Sequence, residues 1–313
     1  MSSEFSTLSD FSWAKVNKGS VISNQIDSRY PGPKEIWESE YPTRTDISDI
    51  DTVKEIVPIF GDSFMFCSGL PKRYDISHIL RTDMPETLFI NLAKGGSGNN
   101  RIITRLEQWT NDKNSEKTKT IIIGFSSMYR FDYYMDIGKP NTIGDRISIY
   151  DTTEIRGYDI MPGLHPMELI NSEDEPTKKR VLRPLKDVWK DISGKQTSYV
   201  NTMLKHLETN LRRLDWITRN KKWNVIYIEN ESWSDSLHDN DKKAINKYLQ
   251  EMDIPERRFK VIKTENQKDL NGDDIVYGDE TVPIVDRLIC GHFGYSTLKL
   301  LKEKIIKEYN GFE

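Results

Sequence analysis

The most constraining feature of this sequence is a set of short, continuous apolar segments that end in glycine and serine. The segment Glu55–Phe60 stops at Gly61-Asp62-Ser63, and residues 88–93 stop at the run Gly95-Gly96-Ser97-Gly98. Apolar runs of this length between turn residues are typical of strands that are buried on both faces. Three further segments follow the same pattern and bring the predicted number of strands to five: residues 120–124, 223–228 and 259–262.

Amphipathic helical segments separate these strands. In residues 101–109, Ile102, Leu106 and Trp109 recur at helical spacing. Similar patterns cover residues 183–219, 239–251 and 297–309. Buried strands that alternate with such helices are typical of a parallel sheet covered on both faces. The predicted fold is therefore a three-layer α/β/α sandwich, flavodoxin-like, with a parallel sheet of about five strands.

Two segments lack this alternation. Residues 1–55 are polar and contain the turn sequence Tyr30-Pro31-Gly32-Pro33, so we interpret them as an N-terminal arm on a domain formed by residues 56–313. Residues 136–182 are rich in Gly, Pro, Asp and Glu and show no clear periodicity. This second segment is interpreted as an insertion or lid within the domain.

Charge and cysteine usage exclude several classes of protein. The 313 residues include 45 Lys and Arg against 49 Asp and Glu, a net charge of −4 without the basic excess of a general nucleic-acid binder. No stretch approaches the roughly 20 apolar residues of a membrane helix, so no membrane partner is expected. The N-terminus lacks the pattern of a secretory signal, and cytoplasmic synthesis is expected. Cys67 and Cys290 lie among apolar residues and are predicted to be buried free thiols.

The predicted topology brings candidate catalytic residues to one edge of the sheet. Ligands of parallel sheets bind beyond the carboxyl ends of the strands, where Ser63, the 95–98 loop and Ser126 would lie. A serine at a sharp strand exit can expose its hydroxyl, and a glycine-rich helix start can stabilise a developing anion. Of the five histidines, His292 alone occupies a turn of small residues directly before a helix, which makes it the candidate base.

No cofactor is expected from the sequence. The 95–98 loop lacks the Gly-Lys-Ser/Thr ending of a nucleotide-binding P-loop and the spacing of a dinucleotide fingerprint. The acidic segment 271–274 lacks the twelve-residue pattern of a calcium loop. Neither a nucleotide nor a metal is therefore predicted.

Four segments together resemble the sequence blocks of the GDSL/SGNH hydrolases. Gly61-Asp62-Ser63-Phe64 resembles the first block, whose serine is the nucleophile, and residues 91–100 resemble the second, whose oxyanion-hole glycine corresponds to Gly96. Residues 121–127 are similar to the third block and residues 290–297 to the last, which carries the histidine. The blocks occur in the family's order over residues 56–309, so the resemblance implies the SGNH-hydrolase fold.

The third block departs from the family's pattern. Ser126 stands where the oxyanion-hole asparagine is expected, so one side-chain amide donor is missing. Loss of one such donor typically costs about 10²–10³ in rate. The Ser126 hydroxyl could donate in its place, or an amide from Asn99 or Asn100 could do so.

The last block departs from the pattern as well. Ile289 and Cys290 stand where the acid of the triad would fall, and a neutral thiol cannot stabilise an imidazolium as a carboxylate does. A backbone carbonyl could also orient the His292 ring. The candidate side chains are Asp286, Asp279 and Glu280.

The resemblance implies a serine esterase in which Ser63 attacks and His292 accepts the proton. The implied substrate is an ester or an O-acetylated glycan, with carbohydrate deacetylation as the first expectation. Because the two departures fall on groups whose loss most weakens the chemistry, the alternative is a catalytically degenerate structural or glycan-binding protein. The blocks are most similar to bacteriophage versions of the family, which would make virion proteins, or a second copy of this chain, the partners.

Overall fold

The computed structural model of the chain describes its residues in several separate ranges. These are residues 29, 43, 45–95, 97–126, 130–134, 155–159, 196–229, 258–266, 279, 281–288 and 292–312. The elements in chain order are β1 (Glu55–Phe60), α1 (Ile76–Asp83), β2 (Thr87–Asn91), α2 (Asn99–Thr110), β3 (Thr120–Gly124), β4 (Arg130–Tyr134), β5 (Ile155–Asp159), α3 (Gln196–Lys221), β6 (Asn224–Glu229), β7 (Phe259–Asn266), β8 (Thr281–Ile284) and α4 (Tyr295–Asn310).

Six strands form one sheet in the order β2-β1-β3-β6-β7-β8, and every neighbouring pair is parallel. The five predicted strands and their parallel arrangement are confirmed. The sixth strand, β8, was not predicted, because its four residues include Pro283 and form no apolar run. Proline is tolerated at a sheet edge, where its missing N–H leaves no ladder bond unmade, and β8 is an edge strand.

Helices cover both faces of this sheet, which confirms the three-layer prediction. Alternate strand residues face opposite layers, as the period of two along a strand requires. On one face, β-strand side chains such as Ile121, Ile123 and Tyr227 pack against α2 and α3. On the other face, Ile122, Ile226 and their neighbours pack against α1 and α4.

Part of the predicted N-terminal arm packs along the β2 edge of the sheet. The Thr43 hydroxyl donates to the carbonyl oxygen of Asn91 at 2.7 Å, and the Asn91 N–H donates to the Thr45 hydroxyl at 2.9 Å. Lys117 also donates to the carbonyl oxygens of Ile50 and Asp51. Because an open strand edge invites pairing with other chains, the contacts of Thr43 and Thr45 with Asn91 protect the carboxyl end of β2.

The remaining sequence predictions have mixed outcomes. The helix predicted over 101–109 is α2, and the closing helix over 297–309 is α4. In the segment predicted as helical over 183–219, α3 is described from residue 196, whereas 183–195 and the predicted helix 239–251 lie outside the described residues. Within the predicted insertion, β5 pairs antiparallel with β4, a strand pair that the sequence pattern did not indicate. Cys67 is a buried free thiol as predicted, and Cys290 lies outside the described residues.

Candidate active site

One glycine directly follows β1 and another ends β3, where the carboxyl ends of the two strands lie side by side. Phe60 is the register partner of Ile123, which puts Gly61 beside Gly124. A Cβ on Gly61 would lie 2.5 Å from the Cβ of Met65 and 2.9 Å from the carbonyl oxygen of Gly124. Neither atom can move without shifting the backbone, so glycine at position 61 is a packing requirement of this edge.

Ser63 lies in a tight turn directly after β1. The Asp62 carboxylate accepts from the Phe64 N–H at 2.9 Å, and the Ser63 carbonyl accepts from the Ser68 N–H at 3.0 Å. Asp62 is buried, whereas Ser63 is half-buried. The turn therefore holds Ser63 at the boundary between core and solvent, where a nucleophile can be reached.

The glycine loop of the second block lies against this turn. A Cβ on Gly95 would be 3.8 Å from the Cβ of Ser63, an ordinary contact distance, and Lys94 donates its N–H to the Gly61 carbonyl at 3.0 Å. The structure thus brings the first and second blocks together. Gly96, the predicted oxyanion-hole glycine, lies outside the described residues.

His292 reaches the same edge through an antiparallel contact near the C-terminus. Residues 286–288 pair with residues 292–294 through the bridge between Arg287 and Phe293, and we call these two segments the C-terminal strand pair. The His292 ring lies 4.9 Å from the ring of Phe64, centroid to centroid. Since Phe64 directly follows Ser63, the fold places the predicted nucleophile and base in one neighbourhood.

Asp286 lies on the same strand pair as His292. The Gly294 N–H donates to the Asp286 carbonyl at 2.8 Å, so residues 286 and 294 are directly opposite. In such a pair, Asp286 shares a face with His292 as its diagonal neighbour, about 7 Å away between Cα atoms. The Asp286 carboxylate folds over Gly294, where a Cβ would collide with it, and accepts from the Ser296 N–H at 3.4 Å in the first turn of α4.

The other candidate acid, Asp279, lies away from this pair. Its side chain is exposed, and its carbonyl oxygen accepts from Lys304. Lys304 lies nine residues beyond Tyr295, the first residue of α4, which is about 14 Å along the helix axis. Of the two aspartates, the geometry therefore favours Asp286 as the partner of His292.

Asn99 and Ser126 are bound to each other rather than to an open site. The Asn99 side chain accepts from the Ser126 N–H at 2.7 Å and donates to the Ser126 carbonyl at 3.1 Å. Both residues are buried. The Asn99 amide thus holds the backbone of the third block, and among the described residues the buried Ser126 hydroxyl has no hydrogen-bond partner.

Asn100 is directed to a helix. Its side-chain oxygen accepts from Arg213 of α3 at 2.5 Å. This contact ties the start of α2 to the neighbouring helix. Of the donors considered for the oxyanion, the Asn99 amide is therefore bound to the backbone of the third block, whereas the Ser126 hydroxyl has no hydrogen-bond partner within the described part of the chain.

A buried polar network that was not predicted from the sequence lies below the Ser63 turn. Asn91, the last residue of β2, donates from its amide to the Met65 carbonyl and the Asp75 carboxylate, both at 2.8 Å. Its side-chain oxygen accepts from the Ala93 N–H. Asp75 also caps α1 by accepting from Ser77. The sequence signal for this network is Asn91 itself, a polar residue at the end of an otherwise apolar strand.

Glu229 places a further carboxyl group at the carboxyl end of β6. Burial is the largest effect and raises the pKa of the Glu229 carboxyl above its ordinary value. The positive charge of Lys263, the register partner of Glu229, partly lowers this pKa, and the negative charge of Glu265 raises it further. The Glu229 Oε2 atom has no hydrogen-bond partner among the described residues. Ionisation of this carboxyl is thus unfavourable in the folded protein.

Glu229→Gln should therefore change how stability depends on pH. In the unfolded chain the Glu229 carboxyl has an ordinary pKa of about 4.3 and loses its proton above that pH, whereas the folded protein still holds the proton there. The free energy of unfolding therefore falls as the pH rises from the unfolded pKa to the folded one. We expect the variant and the wild type to unfold at similar urea concentrations at pH 4 and the variant to be more stable at pH 8. A variant that is equally or less stable at pH 8 would contradict this account.

The described residues contain no group of three or more His, Cys, Asp or Glu side chains arranged to hold a metal ion. No helix in the described ranges has the length and hydropathy needed to span a membrane.

No family model and no curated protein sequence matches the chain. Among solved structures it is similar to the crystal structure of TesA, with 10% identity over 83% of this chain and 100% of that chain, at a TM-score of 0.44. For the esterase EstA from Pseudoalteromonas sp. the identity is 10%, over 82% of this chain and 97% of that chain, with a TM-score of 0.43. For a member of the lipolytic G-D-S-L family from Veillonella parvula the identity is 14%, over 82% of this chain and 98% of that chain, with a TM-score of 0.40.

The family resemblance rests on the sequence blocks and their placement. The first and second blocks touch at Ser63 and Gly95, the second and third are joined by Asn99 and Ser126, and the last reaches Phe64 through His292. All of them lie at the carboxyl edge of one parallel sheet between two layers of helices. In its α/β/α fold and in the arrangement of its four blocks, this chain resembles the GDSL/SGNH hydrolases.

Proposed function

We propose that this chain is a serine ester hydrolase with Ser63 as nucleophile and His292 as general base. The observation that carries the proposal is the contact of the His292 ring with Phe64, the residue next to Ser63. A serine and a histidine brought together at a strand exit beside a glycine-rich loop would form the arrangement that acyl transfer requires.

The proposed reaction proceeds through an acyl-enzyme. Ser63 Oγ attacks the ester carbonyl carbon while His292 accepts its proton, and the carbonyl oxygen becomes an oxyanion. The tetrahedral intermediate collapses, the alcohol leaves with the proton from His292, and the acyl group remains on Ser63. Water then attacks the acyl-enzyme with His292 again as base, which releases the carboxylic acid and restores the serine.

Three donors are proposed for the oxyanion. Two are the backbone N–H groups of Ser63 and Gly96, as the family resemblance implies. The third is the Ser126 hydroxyl, because it is buried without a partner in the described part of the chain while the Asn99 amide is bound to the Ser126 backbone. Asp286 is proposed as the carboxylate that orients His292, since the two residues share one face of the C-terminal strand pair.

The proposed substrates are short acyl esters, with O-acetylated carbohydrate first. The test is hydrolysis of p-nitrophenyl acetate, butyrate and octanoate and of acetylated xylan, together with labelling of the protein by a fluorophosphonate. We expect turnover that is greatest with acetyl groups and a single covalent label on Ser63. Acetate release from xylan would support the carbohydrate substrate, and turnover that is greatest with octanoate would instead indicate a lipid acyl chain.

One observation favours a second candidate function. The Asn99 amide is bound to the Ser126 backbone, so it does not replace the missing side-chain amide of the third block. A protein that kept the fold without the full set of donors would bind a glycan without hydrolysing it. Absence of turnover and of label, together with binding of acetylated xylan in calorimetry, would establish this second function and overturn the first.

A further inference from the structure

An arginine from the predicted N-terminal arm contacts the C-terminal strand pair that carries His292. Arg29 Nη1 lies 3.2 Å from the Asp286 carboxylate, and Arg29 Nη2 donates to the Arg287 carbonyl at 2.5 Å. These contacts join residues more than 250 positions apart in the sequence. One guanidinium thus bridges a carboxylate and a carbonyl of two consecutive residues.

The same strand pair is held from its other side by α4. The Asp286 carboxylate accepts from the Ser296 N–H in the first turn of that helix, and its backbone carbonyl accepts from the Gly294 N–H. The Thr297 hydroxyl donates to the Asp286 carbonyl and accepts from the Asp286 N–H, both at 2.9 Å. Asp286 is therefore held between α4 and Arg29. Because residues 292–294 pair with the segment that contains Asp286, the position of Asp286 also fixes that of His292.

We propose that Arg29 is a positioning residue, which clamps Asp286 and Arg287 and thereby holds His292 in place beside the Ser63 turn. The planar fork of arginine matches two acceptors at once, which the single ammonium of lysine does not. This inference rests on the proposed function, since it assigns Arg29 a part in presenting the base. It also assigns the N-terminal arm a role at the site of its own chain.

The pair is too exposed to act mainly through global stability. The Arg29 side chain is 46% exposed and that of Asp286 15%, and exposed ion pairs contribute little to the free energy of unfolding. Its expected effect is local, because small displacements of a catalytic group are costly in rate even when the fold is unchanged.

A second arginine provides a matched control. Arg81 of α1 also bridges a carboxylate and a carbonyl between the arm and the domain, through Asp49 and the Asp46 carbonyl. These contacts lie in the segment that covers the β2 edge rather than at the C-terminal strand pair. Arg81→Met therefore loosens the arm without touching the residues that hold His292.

The first experiment measures the clamp without relying on activity. Hydrogen exchange of peptides covering residues 285–295 is compared among the wild type, Arg29→Met, Arg29→Lys and Arg81→Met. We expect exchange in this segment to be at least about fivefold faster in Arg29→Met, intermediate in Arg29→Lys and unchanged in Arg81→Met. Equal protection in the wild type and Arg29→Met would overturn the proposal, whether or not the protein hydrolyses esters.

The second experiment measures the consequence for catalysis. For the best ester of the panel, we expect Arg29→Met to lower kcat by about tenfold with KM within about twofold of the wild-type value, and Arg29→Lys to recover part of the loss. Unchanged kcat in Arg29→Met, or an equal loss in Arg81→Met, would overturn the positioning role. A wild type without turnover would refute the proposed function instead, and the exchange data would still decide whether the clamp exists.

Discussion

Ser63→Ala should lower kcat for ester hydrolysis by about 10⁴- to 10⁶-fold and abolish labelling by a fluorophosphonate. The loss is large because the methyl group cannot form the acyl-enzyme, which leaves only the binding and oxyanion contributions to the rate. Ser63 is half-buried in a turn whose hydrogen bonds come from Asp62 and Ser68, so the variant should fold normally. The measurements are steady-state kinetics and intact-protein mass after labelling.

Ser68 supplies the matched control for this experiment. A Cβ on Gly95 would lie 3.6 Å from Ser68 Oγ and 3.8 Å from Ser63 Cβ, so the two serines flank the same glycine. Ser68→Ala removes a hydroxyl from this neighbourhood and should retain both turnover and label. Activity that survives in Ser63→Ala, or that disappears equally in Ser68→Ala, would remove Ser63 as the nucleophile.

Asn91→Ala should lower the free energy of unfolding by about 3 kcal/mol. Asn91 is buried, and its amide is shared by the Met65 carbonyl and the Asp75 carboxylate. Truncation leaves a buried carboxylate and a buried carbonyl with one donor fewer, and burying an uncompensated charge is among the costliest of single changes. Urea unfolding followed by circular dichroism measures the loss.

Asn111→Ala is the control for Asn91→Ala. Asn111 is exposed at the end of α2, and its amide donates to the Glu107 carbonyl at 3.2 Å. A surface substitution of this kind is expected to change stability by less than about 0.5 kcal/mol. If Asn91→Ala cost no more than Asn111→Ala, the buried network would not support the Ser63 turn.

The layered fold could be predicted because its signals are local. A strand buried on both faces needs a run of apolar residues, and a tight exit needs glycine, and both properties belong to contiguous residues such as 120–124. The strand β8 escaped prediction because an edge strand of four residues that includes Pro283 gains its pairing from β7 rather than from its own composition. The pair of β4 and β5 likewise depends on a partner distant in sequence.

The candidate site divides in the same way. The sequence by itself determined that Ser63, the glycine loop and Ser126 follow strands of one parallel sheet and therefore meet at one edge, because parallel strands share the direction of their carboxyl ends. It could not decide the partners of flexible polar groups. An asparagine amide bonds equally well to backbone, substrate or water, and only the packing of α2 against the sheet directs Asn99 to Ser126.

The choice of the acid beside His292 and the contact made by the N-terminal arm likewise depend on tertiary structure alone. Asp286 and Asp279 are equally plausible along the sequence, but chain pairing puts only Asp286 on the strand pair of His292. The contact of Arg29 with Asp286 has no local signal at all. Whether two charges meet across most of the chain depends on the whole fold, because the sequence specifies which groups are charged and the tertiary structure specifies the distances between them.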